Sequence, residues 1–219
     1  MISHVVFDFD GTLADSRQAA MDLYNTVAQR KGYGTLTPEN LSELSTLSVL
    51  QRCERLRVPV YRLPALMLEV SRGFRDVMHT VEFQPGMREL LGALRARGLR
   101  LLIVSTNAAE NIQAFLRRHG VEDQVDEVLC SRRIFGKGRL LRSLMKRTGL
   151  CPEQLVYVGD EHRDVEACRE VGVRVVAVRW GVDAESRLRE ARPDHLAREP
   201  AEVAECVSRW SGASRAEGG

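Results

Sequence analysis

Acidic residues stand just past the ends of two apolar runs. In "HVVFDFDGT", residues 4–12, Asp8 and Asp10 follow a run that reads as buried, and in "LVYVGDEHRD", residues 155–164, Asp160 and Asp164 stand in the same relation to theirs. Isolated carboxylates are costly to desolvate, so something must compensate acids in such places. A further apolar run ends in Ser105-Thr106-Asn107, and Lys137 stands alone in "IFGKGRLL". Carboxylates without clustered Cys or His are hard oxygen donors, which suit Mg2+ completed by water and a substrate phosphate. An ammonium and two hydroxyls suit an anion. A cation site beside an anion cradle is a phosphoryl-transfer site in outline. One of the first two acids can face phosphorus while the other, just past the strand, faces a leaving group, and Gly11 permits a sharp turn there. Singly, each residue has a simpler role as helix cap, turn residue, dipole partner or exposed lysine. Their order and their shared placement at strand ends speak for a site.

Such a site requires a scaffold that brings distant strand ends together. Short continuous apolar runs at 4–9, 99–105, 127–131, 155–160 and 173–180 read as strands covered on both faces. Helical stripes separate the later ones: Met87, Leu90, Leu91 and Leu94; Ile112, Phe115 and Leu116; Leu140, Leu141, Leu144 and Met145. Gly98, Gly120, Gly149 and Gly172 follow as C-terminal stops. This alternation predicts an α/β fold, a doubly wound, Rossmann-like parallel sheet, whose ligands bind beyond the carboxyl ends of the strands. Residues 17–81 break the rhythm: they carry helical stripes and Pro38, Pro59 and Pro64 but no strand. They read as an inserted helical cap, leaving 1–16 and 82–210 as the catalytic core and 211–219 as a disordered tail. The crossings at Asp15–Arg17 and Phe83–Gly86 are the expected hinges.

Bulk composition narrows the class. The chain has 219 residues, 44% apolar and 28% charged, and a net charge of +2, which argues against a nucleic-acid or membrane-surface partner. Only Lys31, Lys137 and Lys146 are lysines among 32 basic residues, so each merits separate reading. Cysteines 53, 130, 151, 168 and 206 form no metal-binding or disulfide spacing, and no apolar run is long enough for a membrane span. The expectation is a cytoplasmic protein, monomer or weak homodimer.

"DFDGT" followed by Leu13-Ala14-Asp15-Ser16, a strand ending in Ser105, the later Lys137 and "VGDEHRD" resemble, in that order, the four motifs of the haloacid dehalogenase-like hydrolase superfamily. The helical insertion and the "RWG" with a later Pro193-Asp194-His195 resemble its phosphoglycolate phosphatase-like branch. The resemblance spans nearly the whole chain and implies a Mg2+-dependent phosphatase acting on a small phosphorylated metabolite. Asp8 would be the nucleophile that forms an aspartyl-phosphate, and Asp10 the acid and base, its backbone carbonyl also meeting Mg2+. Asp160 and Asp164 would complete the metal site. Ser105, Lys137 and the backbone around Asn107 would hold the phosphoryl oxygens, with Gly11, Thr12 and Thr106 beside them. Two departures are visible: Lys137 is followed by Gly138 rather than Pro, and the cap lacks a clear specificity loop. A sugar-phosphate mutase, a phosphonate hydrolase using Lys31 as the only cap lysine, and a non-catalytic binding module are the alternatives. Asp10 argues against a dehalogenase.

Overall fold

The computed structural model describes residues 1–131 and 136–212; the expected tail lies outside them from residue 213 onward. The strands are β1 (His4–Phe7), β2 (Ala14–Asp15), β3 (Glu82–Phe83), β4 (Arg100–Ser105), β5 (Glu127–Cys130), β6 (Leu155–Gly159), β7 (Arg174–Val178) and β8 (His195–Ala197). The helices are α1 (Arg17–Lys31), α2 (Pro38–Ser45), α3 (Val49–Arg55), α4 (Leu63–Val77), α5 (Met87–Ala96), α6 (Ala109–Arg118), α7 (Lys137–Thr148), α8 (His162–Val171), α9 (Glu185–Ala191) and α10 (Pro200–Trp210).

Six strands form one parallel sheet in the order β5-β4-β1-β6-β7-β8. Val5, Val6 and Phe7 are fully buried, as are Leu101, Ile103, Val156, Tyr157 and Val158, because helices cover both faces. That explains the unbroken apolar runs. One face packs Phe7, Leu91, Ile103 and Phe115 together, and the other packs Val6, Leu141, Leu144 and Tyr157. Removing an apolar side chain of this size from water is worth about 1.5–3 kcal/mol. The central β1 lies between β4 and β6, and the chain leaves it in one direction to build β4 and β5 and in the other to build β6, β7 and β8. The ends of β1, β4 and β6 therefore meet where the strand order reverses, the place such sheets offer to ligands.

Between β2 and β3 the chain is helical. The inserted helices have their own small core, with Val27, Leu44, Cys53, Leu56, Val58 and Leu66 buried together. The expected hinges take a form the sequence does not announce. Strands β2 and β3 pair antiparallel, Ala14 with Phe83 and Asp15 with Glu82, and Gln84 N donates to Leu13 O at 2.8 Å. The two crossings thus form one short ribbon. Strand β8 adds a sixth parallel strand next to β7. The described cysteines are all free, and no helix among the described residues is long and apolar enough to cross a membrane.

Candidate active site

Hydrogen bonding of β1 continues past its last ladder residue: Asp8 N donates to Val158 O at 2.8 Å. This carries Asp8 to the sheet edge beside the end of β6. Asp160 follows β6 directly, and Asp164 lies in the first turn of α8, where its Oδ2 accepts from Glu161 N at 3.3 Å. Lys137 is the first residue of α7, and its Nζ donates at 2.5 Å both to Asp8 Oδ2 and to Asp164 Oδ1. Asp8, Asp160, Asp164 and Lys137 are all buried, and ligand oxygens of the three acids lie within 4.8 Å of one another. The ammonium also sits 5.8 Å from the Tyr157 ring centroid.

Three carboxylates against one ammonium leave an excess of two negative charges if all are ionised. Burial pushes Asp8 up to about 7; Lys137 pulls it down, while Asp164 and Asp160 push it further up. Burial and Asp164 likewise raise Asp160 to about 6, against the Thr12 hydroxyl and the Val182 amide. Burial opposes the charge on Lys137, yet Asp164 and Asp8 outweigh it and raise its pKa. Burial first, and the neighbouring carboxylates after it, disfavour the charged forms of Asp8 and Asp160. A divalent cation with oxygen-rich coordination fits this donor set.

Asp160 is held tightly. Thr12 Oγ1 donates to its Oδ1 at 2.6 Å and Val182 N to its Oδ2 at 2.7 Å. Thr12, expected among the phosphate-holding groups, has its fully buried hydroxyl turned to Asp160. Gly11 adopts φ +79°, and a Cβ there would come 2.5 Å from Asp160 Oδ2. Gly11 is therefore required by both the turn and the close approach of the carboxylate. A Cβ at Gly181 would overlap Asp160 as well.

Asp10 faces elsewhere. Its Oδ2 accepts from Asn107 Nδ2 at 2.9 Å, and its buried Oδ1 has no hydrogen-bond partner among the described residues. Burial raises its pKa, with the Ser16 hydroxyl and the Asn107 amide pulling the other way. Its carboxylate does not join the three-acid group. Ser105 is buried, its Oγ accepting from Asn107 N at 3.0 Å. Thr106 and Asn107 line a cleft of about 620 Å³ between α4 and the start of α6, with Arg72, Arg75 and Leu68 on the helical-insertion side.

Lys31 is exposed and lines a second depression with Tyr33 and Tyr61, which shares only Ala65 with the lining of this cleft. Several other insertion arginines are engaged. Arg30 pairs with Glu69, Arg52 with Asp183 and Arg55 with Glu43, and Arg17 donates to Gly181 O. Arg72 and Arg75 have no hydrogen-bond or ion-pair partner among the described residues.

The sequence residues alone do not reveal Asn111, Val182 or the choice of Arg72 and Arg75. Asn111 sits one helical turn beyond Asn107, and that i, i+4 spacing is the only signal it offers.

Residues 5–178 match the haloacid dehalogenase-like hydrolase family. The chain belongs to that family. It is similar to a phosphoglycolate phosphatase of Synechococcus elongatus, 36% identical over 204 residues that cover 93% of this chain and 96% of that protein. A phosphoglycolate phosphatase of Chromobacterium violaceum is 28% identical, with 85% of this chain and 89% of that protein covered. Among solved structures, a haloacid dehalogenase-like family hydrolase from Streptococcus pneumoniae superposes with a TM-score of 0.77 at 20% identity, over 94% of this chain and 98% of the other. That likeness concerns the fold. Within this family fold, the four motif positions meet at the strand-order reversal, with the helical insertion beside them.

Proposed function

We propose that this haloacid dehalogenase-like hydrolase is a Mg2+-dependent phosphatase acting on a small phosphomonoester through an aspartyl-phosphate at Asp8. The observation that carries the reading is the buried set of Asp8, Asp160, Asp164 and Lys137, whose negative charge exceeds its positive charge. Asp8, Asp160 and Asp164, with the main-chain carbonyl of Asp10, would hold Mg2+. Bound there, the cation supplies charge stabilisation to phosphoryl oxygens and keeps the acids ionised.

A carboxylate oxygen of Asp8 attacks phosphorus, and the ester P–O bond breaks. Asp10, protonated, gives its proton to the departing alkoxide, so the alcohol leaves neutral. Asp10, now a carboxylate, takes a proton from water as that water attacks the phosphorus of the aspartyl-phosphate. The P–O bond to Asp8 breaks, phosphate leaves and both acids return to their starting states. Lys137 offsets phosphoryl charge and keeps Asp8 ionised against its burial. Ser105 and the backbone at Thr106 and Asn107 hold the phosphoryl oxygens.

The cleft supports an acidic substrate such as phosphoglycolate. Arg72 and Arg75 stand three residues apart on α4, both exposed and both lining the cleft that Asn107 shares. Guanidinium groups suit a planar carboxylate. A panel of phosphate esters assayed with purified protein and Mg2+ tests the reading: phosphorylated hydroxy acids should rank first, and failure to hydrolyse any ester would exclude it.

A further inference from the structure

Asn107 presents its amide to four groups, and their chemistry fixes which way the amide must face. Ala108 N points at its Oδ1 from 2.8 Å and Asn111 Nδ2 from 2.9 Å; both are N–H donors. The Ser71 hydroxyl approaches the same oxygen at 3.4 Å. With donors converging on one side, the amide nitrogen is left on the other, where it donates to Asp10 Oδ2 at 2.9 Å. A flipped amide would set N–H against N–H on one side and oxygen against the Asp10 carboxyl on the other.

Asn111 also reaches the helical insertion. It lies buried in α6, and its Nδ2 donates to the main-chain carbonyl of Ser71, on α4, at 2.9 Å. Its two amide hydrogens therefore have two acceptors, one on the insertion and one on the side chain that holds Asp10. Asn111 touches neither the three-acid group nor Lys137 through any of these bonds.

We infer that Asn111 is a positioning residue for proton transfer by Asp10. Together with Ala108 N it holds the Asn107 amide in the orientation that donates to Asp10, and it ties that orientation to the seating of α4 through Ser71. The inference rests on the phosphatase reading, in which Asp10 protonates the leaving group. A leaving group that needs a proton should feel the loss of Asn111, and one that departs as a stable anion should not.

The test compares kcat/KM on an alkyl phosphate and on p-nitrophenyl phosphate for the wild type, Asn111→Ala and Asn111→Asp, each with its melting temperature. In Asn111→Ala the alkyl ester should lose about 10- to 30-fold and the nitrophenyl ester less than about threefold. Asn111→Asp has nearly the same shape but an ionised side chain can only accept, so it removes a donor from Asn107 Oδ1 and sets a carboxylate against both that oxygen and the Ser71 carbonyl, displacing the Asn107 amide from Asp10. It should lose more than Asn111→Ala on the alkyl ester, an order that a packing role would reverse. Should one variant fail to fold, the other carries the comparison. Equal losses on both esters in a folded variant, or an unchanged ratio in Asn111→Asp, would overturn the inference. Wild-type protein inactive on both esters would instead remove the phosphatase reading, and the inference with it.

Discussion

At the ends of β1 and β6 the charged side chains are wired to one another, whereas along the cleft Arg72 and Arg75 of α4 have no partner among the described residues. The first region is buried and rigidly hydrogen-bonded; the second is exposed and open. The contrast separates two tasks. In the proposed reaction, groups that act on phosphorus must be held in place before substrate arrives, because electrostatic stabilisation depends on preorganisation. Groups that select the rest of the substrate can wait for their partner in the ligand. Damage to the first region should therefore appear in kcat, and damage to the second in KM.

The largest effect belongs to Asp8, the proposed nucleophile. Asp8→Asn should lower turnover of any phosphoester by about 10⁴-fold or more, measured with an aryl phosphate. Lys137→Ala leaves three buried carboxylates without their ammonium and should cost about 10²–10³-fold in kcat. Its thermal stabilisation by added Mg2+ should exceed that of the wild type.

Across the cleft the pattern should invert. Replacing Arg72 and Arg75 together by Gln should raise KM for a carboxylated phosphoester by about 10- to 100-fold, with kcat and a neutral phosphoester little changed. Equal losses on the acidic and neutral esters would erase the contrast between the regions.

A smaller effect follows from pH. The folded-state pKa values of Asp8, about 7, and Asp160, about 6, lie above ordinary carboxylate values. At these two groups the metal-free folded protein thus binds protons more tightly than the unfolded chain. These two groups favour folding at low pH, and that contribution declines as pH rises from about 4 to 7. Mg2+ competes with the same protons, so its affinity should tighten by about tenfold or more between pH 5 and pH 8, read by calorimetry. An affinity independent of pH would contradict the charge account.

The smallest concerns a contact between the helical insertion and the core. Arg52 on α3 pairs with Asp183 and donates to Leu44 O at 2.7 Å, and Asp183 Oδ2 accepts from His162 N at 2.7 Å. Ala184 N meanwhile donates to Ser45 O at 2.9 Å. Arg52→Ala should lower stability by about 1–2 kcal/mol in denaturant unfolding, with little change in kcat.

Much of the core was legible because buried parallel strands leave continuous apolar runs, and because glycines mark helix ends. The acids were legible because carboxylates are expensive where those runs end. The partner of Thr12 was not legible: its type allowed either an anion or a carboxylate, and only the fold turns its hydroxyl to Asp160. The β2–β3 ribbon is two residues long on each side, too short for periodicity to register. Asn111 and the Arg72–Arg75 pair depend on how α4 sits against α6. That is a tertiary relation, and no local pattern encodes it.

In the proposed reaction Asp8 carries the phosphoryl group between the two halves. Acid-quenched protein, mixed for milliseconds with a phosphoester and Mg2+, can be mapped by mass spectrometry for a phosphoryl adduct. The expected adduct lies on the peptide containing Asp8, is lost in Asp8→Asn and is absent after chelation of the metal. Turnover with the adduct on another residue, or undiminished turnover by Asp8→Asn, would contradict it.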